Sequence, residues 1–293
     1  QMLPDAVHPN AKGATILAQI VYGGITGNYG GLQLPQVYSS NMVLQHGIPL
    51  TLHGIANTGT KVEVKIGNQK QTAIADTNGK WAVTLDPLRA KEVYTLAITA
   101  GKEKRIFTNV AAGEVWLCSG QSNMEFYMNQ TSTGSKDIPQ ANNPNIRLYD
   151  MKALWRTDPV EWKDSVLDSL NMLQYYAPAK WEVCTPETVS DFSAVAYYFG
   201  KTLQKDLDMP IGLICNAIGG SPTEAWIDRR TLEYDFPAIL YHWRDNDFIM
   251  DWVRSRASQN IKKSDDKLQR HPYEPAYLFE AGIIPLQHFP IQG

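Results

Sequence analysis

The chain has 293 residues, 43% of them hydrophobic, which is enough material for about two domains with buried cores. Its 27 basic and 30 acidic side chains give a net charge of −3, which argues against nucleic acid and anionic membranes as partners. No apolar run reaches the roughly 20 residues of a membrane helix, and the three cysteines lack ligand or disulfide spacing, so no membrane span, metal or cofactor is predicted.

The first predicted element is a turn that leads into a short amphipathic helix. Residues 3–13 read as the turn, and apolar residues at helical spacing follow from Ala14 to Val21. The glycine pair at positions 23 and 24 is expected to stop this helix, and further glycines up to Gly31 indicate a linker. We therefore predict a first segment that comprises residues 1–31.

From residue 32 to residue 112 the hydrophobic period changes to two. The change is clearest in residues 61–66, where two valines and an isoleucine share one face of a strand. Turn signals recur at Gly67, at Asn78-Gly79 and at Gly101, a spacing typical of a small β-sandwich. The sequence therefore predicts an all-β, sandwich-like module over residues 32–112.

Residues 113–293 have the mixed pattern of an α/β fold. Short apolar runs at 115–118 and 211–215 favour strands that are buried on both faces. A helix that is capped near Ser190 or Asp191 is expected to lead into the second strand. Its predicted buried face consists of Phe192, Val195, Ala196, Phe199 and Leu203.

Ser122 is the first candidate for catalysis. It lies in Gly120-Gln121-Ser122-Asn123-Met124, directly after the first buried strand, where an α/β sheet carries its ligand-binding loops. A serine hydroxyl needs a base to accept its proton and backbone donors to hold the charge on the carbonyl oxygen. Gly120 permits a close backbone approach, and the Ser122 amide can be one donor. A serine that merely caps the next helix explains these residues equally well.

A second glycine-containing loop, residues 216–226, follows the other buried strand. Paired glycines allow their N–H groups to point at a ligand, so Gly219 or Gly220 is a candidate oxyanion donor. Taken alone, the loop is better explained as a tight strand-to-helix turn that Pro222 closes.

Four ordered motifs together carry a family resemblance, over about residues 34–293. They are residues 41–45, residues 113–125, residues 184–195 and residues 219–226. In these motifs the chain resembles the sialate O-acetylesterases. The resemblance implies a flavodoxin-like SGNH hydrolase with a three-layer α/β sheet, packed against the β-module. It implies Ser122 as the nucleophile, with its own N–H and that of Gly220 in the oxyanion hole. An acetylated sugar substrate and an extracytoplasmic (periplasmic or secreted) location are also implied.

Asp5 and His8 form a second esterase-like pair. Three-residue spacing lets Asp5 orient the His8 imidazole, and the surrounding residues resemble the last block of SGNH hydrolases. In that family the block follows the serine, whereas here it precedes Ser122 by more than a hundred residues. We favour the interpretation that the pair closes an upstream SGNH-type domain. The alternatives are that the domain is circularly permuted, or that His8 acts directly as the base for Ser122.

The end of the sequence predicts an incomplete catalytic domain. Residues 278–293 resemble the family just before its next strand, and the Gly-Glu-Ser loop and Asp/His block that follow there do not occur here. Residues 113–293 are therefore expected to be the N-terminal portion of the esterase domain. Their sheet would have an unpaired edge, which an additional polypeptide segment or chain would complete.

The predicted function is a serine esterase that removes O-acetyl groups from sugars, foremost O-acetylated sialic acid, through an acetyl-Ser122 intermediate. An acetylxylan-type esterase is one alternative, because the serine block is shared among sugar acetylesterases. A noncatalytic carbohydrate-binding fragment is the other. Cys118 is expected to be a buried apolar side chain rather than a nucleophile, and His271 to have a packing or surface role.

Overall fold

The computed structural model describes residues 11–262 and 269–293. The predicted pair Asp5 and His8 lies outside these residues. The chain divides into two compact units. Residues 20–151, 178–217 and 288–293 form what we call the sheet unit, and the described residues 11–19, 152–177, 218–262 and 269–287 form the helical unit.

The strands lie in the sheet unit. They are β1 (Val43–Gln45), β2 (Leu50–Ile55), β3 (Lys61–Ile66), β4 (Gln69–Ile74), β5 (Lys80–Leu85), β6 (Val93–Ala100), β7 (Glu103–Gly120), β8 (Asn143–Asp150), β9 (Trp181–Cys184) and β10 (Ile211–Ala217). One mixed sheet has the order β4-β3-β6-β7-β10-β8-β9, with β1 also paired to β7, while β2 and β5 form an antiparallel pair. Together with the helices, this mixed sheet confirms an α/β fold.

The described α-helices are α1 (Ala11–Thr26), α2 (Ser122–Glu125), α3 (Gly134–Asp137), α4 (Asp164–Asn171), α5 (Pro186–Ser190), α6 (Ala194–Leu207), α7 (Arg229–Asp235), α8 (Pro237–Leu240) and α9 (Asp251–Asn260). Short 3₁₀ helices lie at Met128–Gln130, Ile138–Gln140, Thr223–Trp226, Trp243–Asp245 and Ile284–Leu286, and a π-helical turn at Phe279–Ile283. The predicted stop of α1 at Gly23 is wrong. The helix continues to Thr26, where Gly27 adopts a positive φ of 69° and donates to the Gly23 carbonyl.

The 18-residue strand β7 connects the two halves of the mixed sheet. As far as Ala111 it pairs antiparallel with β6, and from Glu114 it pairs parallel with β10. Gly113 lies at the change of neighbour, where a Cβ atom would be 1.9 Å from the Pro210 carbonyl oxygen. The predicted boundary after residue 112 thus falls inside a continuous strand. A separate all-β sandwich is not confirmed, and the predicted domain limits stay predictions.

The other side of β7 is completed by β1 and then by the last residues of the chain. β1 pairs with residues 111–113, Gln292 donates its N–H to the Val115 carbonyl at 2.7 Å, and Leu117 donates to the Gly293 carbonyl at 2.9 Å. The side chain of Gln45 fills the gap between these segments. Its Oε1 accepts from the Val115 N–H at 2.9 Å, and its Nε2 donates to Gln292 Oε1 at 2.9 Å. This buried amide explains why a glutamine closes the first motif.

Helix α6 packs against β10 with a face that only partly matches the predicted one. Its N-cap is Ser193, whose Oγ accepts from the Ala196 N–H. Ala196 is buried as predicted, and so is Gly200, whereas Val195 is 49% exposed. A Cβ atom on Gly200 would lie 2.5 Å from a Leu213 methyl group. The small residues therefore decide which face lies against the sheet, because they permit the closest approach.

Candidate functional site

Ser122 occupies an exposed turn directly after β7. Gly120 ends the strand with a φ of 155°, a region that side chains disfavour, and a Cβ atom there would lie 3.2 Å from Met124 Cβ. Gly120 pairs with Ala217 at the end of β10, so the chain leaves both parallel strands at the same edge of the sheet. This is the edge at which α/β folds bind ligands.

The side chain of Gln121 caps the turn and binds Ser122 twice. Its Oε1 accepts from Ser122 Oγ at 2.8 Å and from the Ser122 N–H at 3.1 Å. The Gln121 amide oxygen therefore binds the Ser122 N–H, which the sequence analysis predicts to be a donor to the acyl oxygen of the substrate. Gln121 has to rotate away before that N–H can bind a substrate carbonyl.

The residues after Ser122 are held by the segment that precedes α6. Met128 donates its N–H to the Phe192 carbonyl at 3.0 Å, and Ala194 donates to the Phe126 carbonyl at 2.8 Å. Met128 is fully buried. These contacts attach the Ser122 turn to the buried core of the sheet unit, so the serine is exposed on a rigid support.

The second predicted loop lies in the helical unit and contacts Tyr273. Gly220 has a φ of 75°, and a Cβ atom on it would lie 2.5 Å from the Tyr273 hydroxyl oxygen and 3.0 Å from Trp252. Only glycine fits this combination of conformation and close contact. The Tyr273 hydroxyl donates to the Gly219 carbonyl at 2.9 Å.

Ion pairs hold the segment that contains Tyr273. Arg270 donates to Glu274 and to Glu280, each at 2.6 Å, and Arg229 donates to Glu280 at 2.6 Å. Burial opposes the ionisation of Glu280, but the hydrogen bonds from the two arginines outweigh it and hold its pKa below the usual value. These charged side chains are partly buried, and each of them is paired with a side chain of opposite charge.

His271 is a buried structural histidine, in agreement with its predicted packing role. Its Nδ1 accepts from the Tyr273 N–H at 2.9 Å, and its Nε2 lies 3.1 Å from Asn260 Oδ1. Its ring stacks on Trp162, with centroids 5.0 Å apart. Burial, reinforced by the charge of Arg244, lowers the His271 pKa to about 3, so the imidazole is neutral at pH 7.

Cys118 lies in β7 and is buried, and burial raises the pKa of its thiol to about 12. The prediction that it is an apolar core residue is confirmed, because such a thiol does not ionise at neutral pH. Among residues 11–262 and 269–293, no group of three or more His, Cys, Asp or Glu side chains is placed to hold a metal ion. No helix in the same ranges is long and apolar enough to cross a bilayer.

Two contacts at the predicted loops could not be predicted from the sequence. The side chain of Gln121 was part of the serine motif, but nothing in the motif indicated that it binds Ser122. Tyr273 lies 54 positions from Gly219, and no local pattern connects the two. The predicted roles of Ser122 and Gly220 stay predictions at this point, as does the pairing of Asp5 with His8.

Comparison with known proteins shows an esterase family that these loops resemble. Residues 112–244, which include Ser122 and Gly220, match the family model of carbohydrate esterases described as sialic acid-specific acetylesterases. Over 219 residues the chain is 27% identical to the sialate O-acetylesterase of Homo sapiens, covering 69% of this chain and 40% of that protein. The rat (Rattus norvegicus) sialate O-acetylesterase is 25% identical over 90% of this chain and 51% of its own length.

The fold comparison agrees with the sequence comparison. A crystal structure of a carbohydrate acetylesterase from Xanthomonas citri matches with a TM-score of 0.68 and 26% identity, covering 89% of this chain and 50% of that chain. The chain is therefore similar to the sialate O-acetylesterases, and the matched family model covers residues 112–244. Those relatives are named as esterases, and the resemblance seen in the four motifs is thereby confirmed. The chain spans about half the length of the curated relatives it matches.

Proposed function

We propose that this chain carries the nucleophile of a serine esterase that removes O-acetyl groups from a sugar. The observation that carries the proposal is Ser122 itself, exposed on a turn that follows a central strand of an α/β sheet within the matched esterase region. The turn is supported by buried backbone contacts, and Gly120 has the conformation that the tight exit from β7 requires.

The proposed reaction is acyl transfer in two steps. Ser122 Oγ attacks the acetyl carbonyl carbon while a base accepts its proton, and the sugar oxygen departs and takes that proton. Water then attacks acetyl-Ser122 with the help of the same base and releases acetate. The Ser122 N–H, once Gln121 has moved, is a donor for the oxyanion in both steps, and the family resemblance assigns Gly220 N–H as another.

The base is assigned by resemblance alone. An Asp-His pair serves the serine in SGNH hydrolases, and the pair in this sequence is Asp5 with His8. We retain the interpretation that this pair belongs to an upstream SGNH-type domain, and that a further polypeptide segment supplies the base for Ser122. Variants at His8 distinguish that interpretation from direct service to Ser122.

The experiment is hydrolysis of p-nitrophenyl acetate by the full protein and its variants. Ser122→Ala is expected to lose at least about a thousandfold in kcat/KM, since removal of a nucleophile leaves only binding and oxyanion stabilisation. Ser132→Ala, at an exposed position ten residues further along, is the matched control and should retain activity. The assay is made both with His8 intact and in a His8→Ala background, which removes the contribution of an upstream active site. Undiminished turnover by Ser122→Ala would refute the proposal.

O-acetylated sialic acid is the proposed substrate, because the curated relatives are named for it. An acetylxylan-type activity is the alternative, because the similar structure from Xanthomonas citri is described only as a carbohydrate acetylesterase. Acetate release from O-acetylated sialic acid and from acetylated xylan separates the two. Sugar binding in calorimetry without acetate release would instead support the noncatalytic alternative. An extracytoplasmic location is a further proposal, from the resemblance alone.

A further inference from the structure

The hydroxyl of Tyr273 is aimed at the peptide bond between Gly219 and Gly220. It donates to the Gly219 carbonyl at 2.9 Å and would lie 2.5 Å from a Cβ atom on Gly220. Tyr273 is 2% exposed, and its contact with Gly219 is partly buried. A buried tyrosine hydroxyl requires such a partner, but the chosen partner has a consequence for the neighbouring amide.

The orientation of one peptide fixes two groups at once. A trans peptide is planar, and its C=O and N–H point in opposite directions. When Tyr273 holds the Gly219 carbonyl, the Gly220 N–H of the same peptide must point away from Tyr273. Two consecutive glycines impose little steric preference on this plane, because neither has a Cβ. A hydrogen bond to the carbonyl is therefore well suited to select one of the two orientations.

Tyr273 is itself fixed at both ends. Its hydroxyl lies 2.5 Å from Thr157 Oγ1, and since it donates to Gly219, Thr157 is the donor in that contact. The Thr157 carbonyl accepts from Arg256. At the other end, the Tyr273 N–H donates to His271 Nδ1 at 2.9 Å. The hydroxyl is thus held in a buried chain of hydrogen bonds that ends on the glycine loop.

We propose that Tyr273 is a positioning residue for the reaction, which holds the Gly219–Gly220 peptide so that the Gly220 N–H is preoriented to bind the acyl oxygen. This inference rests on the proposed function. A donor that is already oriented does not have to reorganise as charge develops, and this is what makes an oxyanion hole effective. The hydroxyl of Thr157 acts through Tyr273 in the same way. Neither side chain has to touch the substrate for this role.

The test compares two tyrosine variants of the full protein. Tyr273→Phe removes the hydroxyl and keeps the ring, whereas the matched control Tyr277→Phe removes a hydroxyl that donates to the Leu170 carbonyl at 3.0 Å and not to the glycine loop. Both tyrosines are buried in the helical unit. Tyr273→Phe loses the contacts with Gly219 and Thr157, and Tyr277→Phe loses the one with Leu170, so a general loss of stability should affect both variants.

We expect Tyr273→Phe to lower kcat by about 10- to 100-fold while KM changes less than about threefold, because an oxyanion donor acts mainly in the transition state. Tyr277→Phe should keep kcat within about twofold of the wild type. Equal kcat values for the two variants, or a change confined to KM, would overturn the proposal.

A second pair of variants keeps the test decisive if Tyr273→Phe does not fold. Thr157→Ser retains the hydroxyl and should retain kcat, whereas Thr157→Val should lower it severalfold. Equal kcat values for these two would also overturn the proposal. Ser122→Ala separates the two levels of inference. If it is inactive while Tyr273→Phe behaves like its control, the positioning role is wrong and the esterase proposal stands, whereas an active Ser122→Ala removes the proposed function itself.

Discussion

Acidification is expected to destabilise the helical unit through the buried imidazole of His271. In the folded chain this ring accepts the Tyr273 N–H at 2.9 Å on Nδ1, and burial lowers its pKa from 6.5 to about 3. The unfolded chain therefore binds a proton below about pH 6.5, while the folded chain does not until about pH 3. Stability consequently falls as the pH is lowered through this interval.

The magnitude follows from the same values. One pKa unit corresponds to about 1.4 kcal/mol, so between pH 7 and pH 5 the His271 site should cost about 2 kcal/mol of unfolding free energy. His271→Asn retains a side-chain acceptor but cannot take up the proton in this range. We therefore expect the variant to lose about 2 kcal/mol less than the wild type over the same pH change, whatever its stability at pH 7.

Urea unfolding followed by tryptophan fluorescence at pH 7 and at pH 5 measures this difference. His242→Asn is the matched control, since His242 is exposed and has a left-handed φ of 45° that asparagine tolerates. This variant shows what a histidine-to-asparagine exchange does outside the His271 site. If His271→Asn loses as much stability on acidification as the wild type does, the buried imidazole is not the group responsible and the reasoning is refuted.

Two further changes test the construction of the sheet unit, both by urea unfolding. Gln45→Ala leaves the buried Val115 N–H without its acceptor and should cost about 1–3 kcal/mol. Gln69→Ala, which removes a comparable contact of 2.8 Å at an exposed site, should cost less than about 1 kcal/mol, so equal losses would contradict the argument. Gly113→Ala forces a Cβ atom to within 1.9 Å of a backbone carbonyl oxygen and should destabilise by at least about 1–3 kcal/mol. Gly24→Ala, in α1 with nothing within 4 Å, should be neutral or stabilising by up to about 1 kcal/mol, and a loss there equal to that of Gly113→Ala would show that contact is not the cause.

The sequence by itself determined the features whose signals are local. Alternating residues predicted β3, the apolar runs predicted the buried parts of β7 and β10, and the motif around Ser122 directly after the first of these runs indicated the family. The predicted burial of Cys118 also follows from its place in such a run. These features depend on residues close together in the chain, so a window of a few residues contains most of the information.

The tertiary structure decided the features that depend on distant partners. The change of period near Gly113 suggested a boundary, but β7 continues through it and exchanges β6 for β10 as its neighbour. The buried face of α6 was partly mispredicted for the same reason, because the approach of β10 selects the small residue Gly200 over the larger apolar neighbours Val195 and Phe199.

The hydrogen bonds around the candidate site show most directly the difference between local features and features that depend on distant partners. Gln45 completes the edge of β7 across 70 positions of sequence, and Tyr273 reaches Gly219 across 54. The presence of a glutamine or a tyrosine in the sequence does not indicate which distant backbone group its side chain binds. The sequence therefore determined which serine and which glycines to consider, whereas only the folded chain decided which side chains hold their backbone in place.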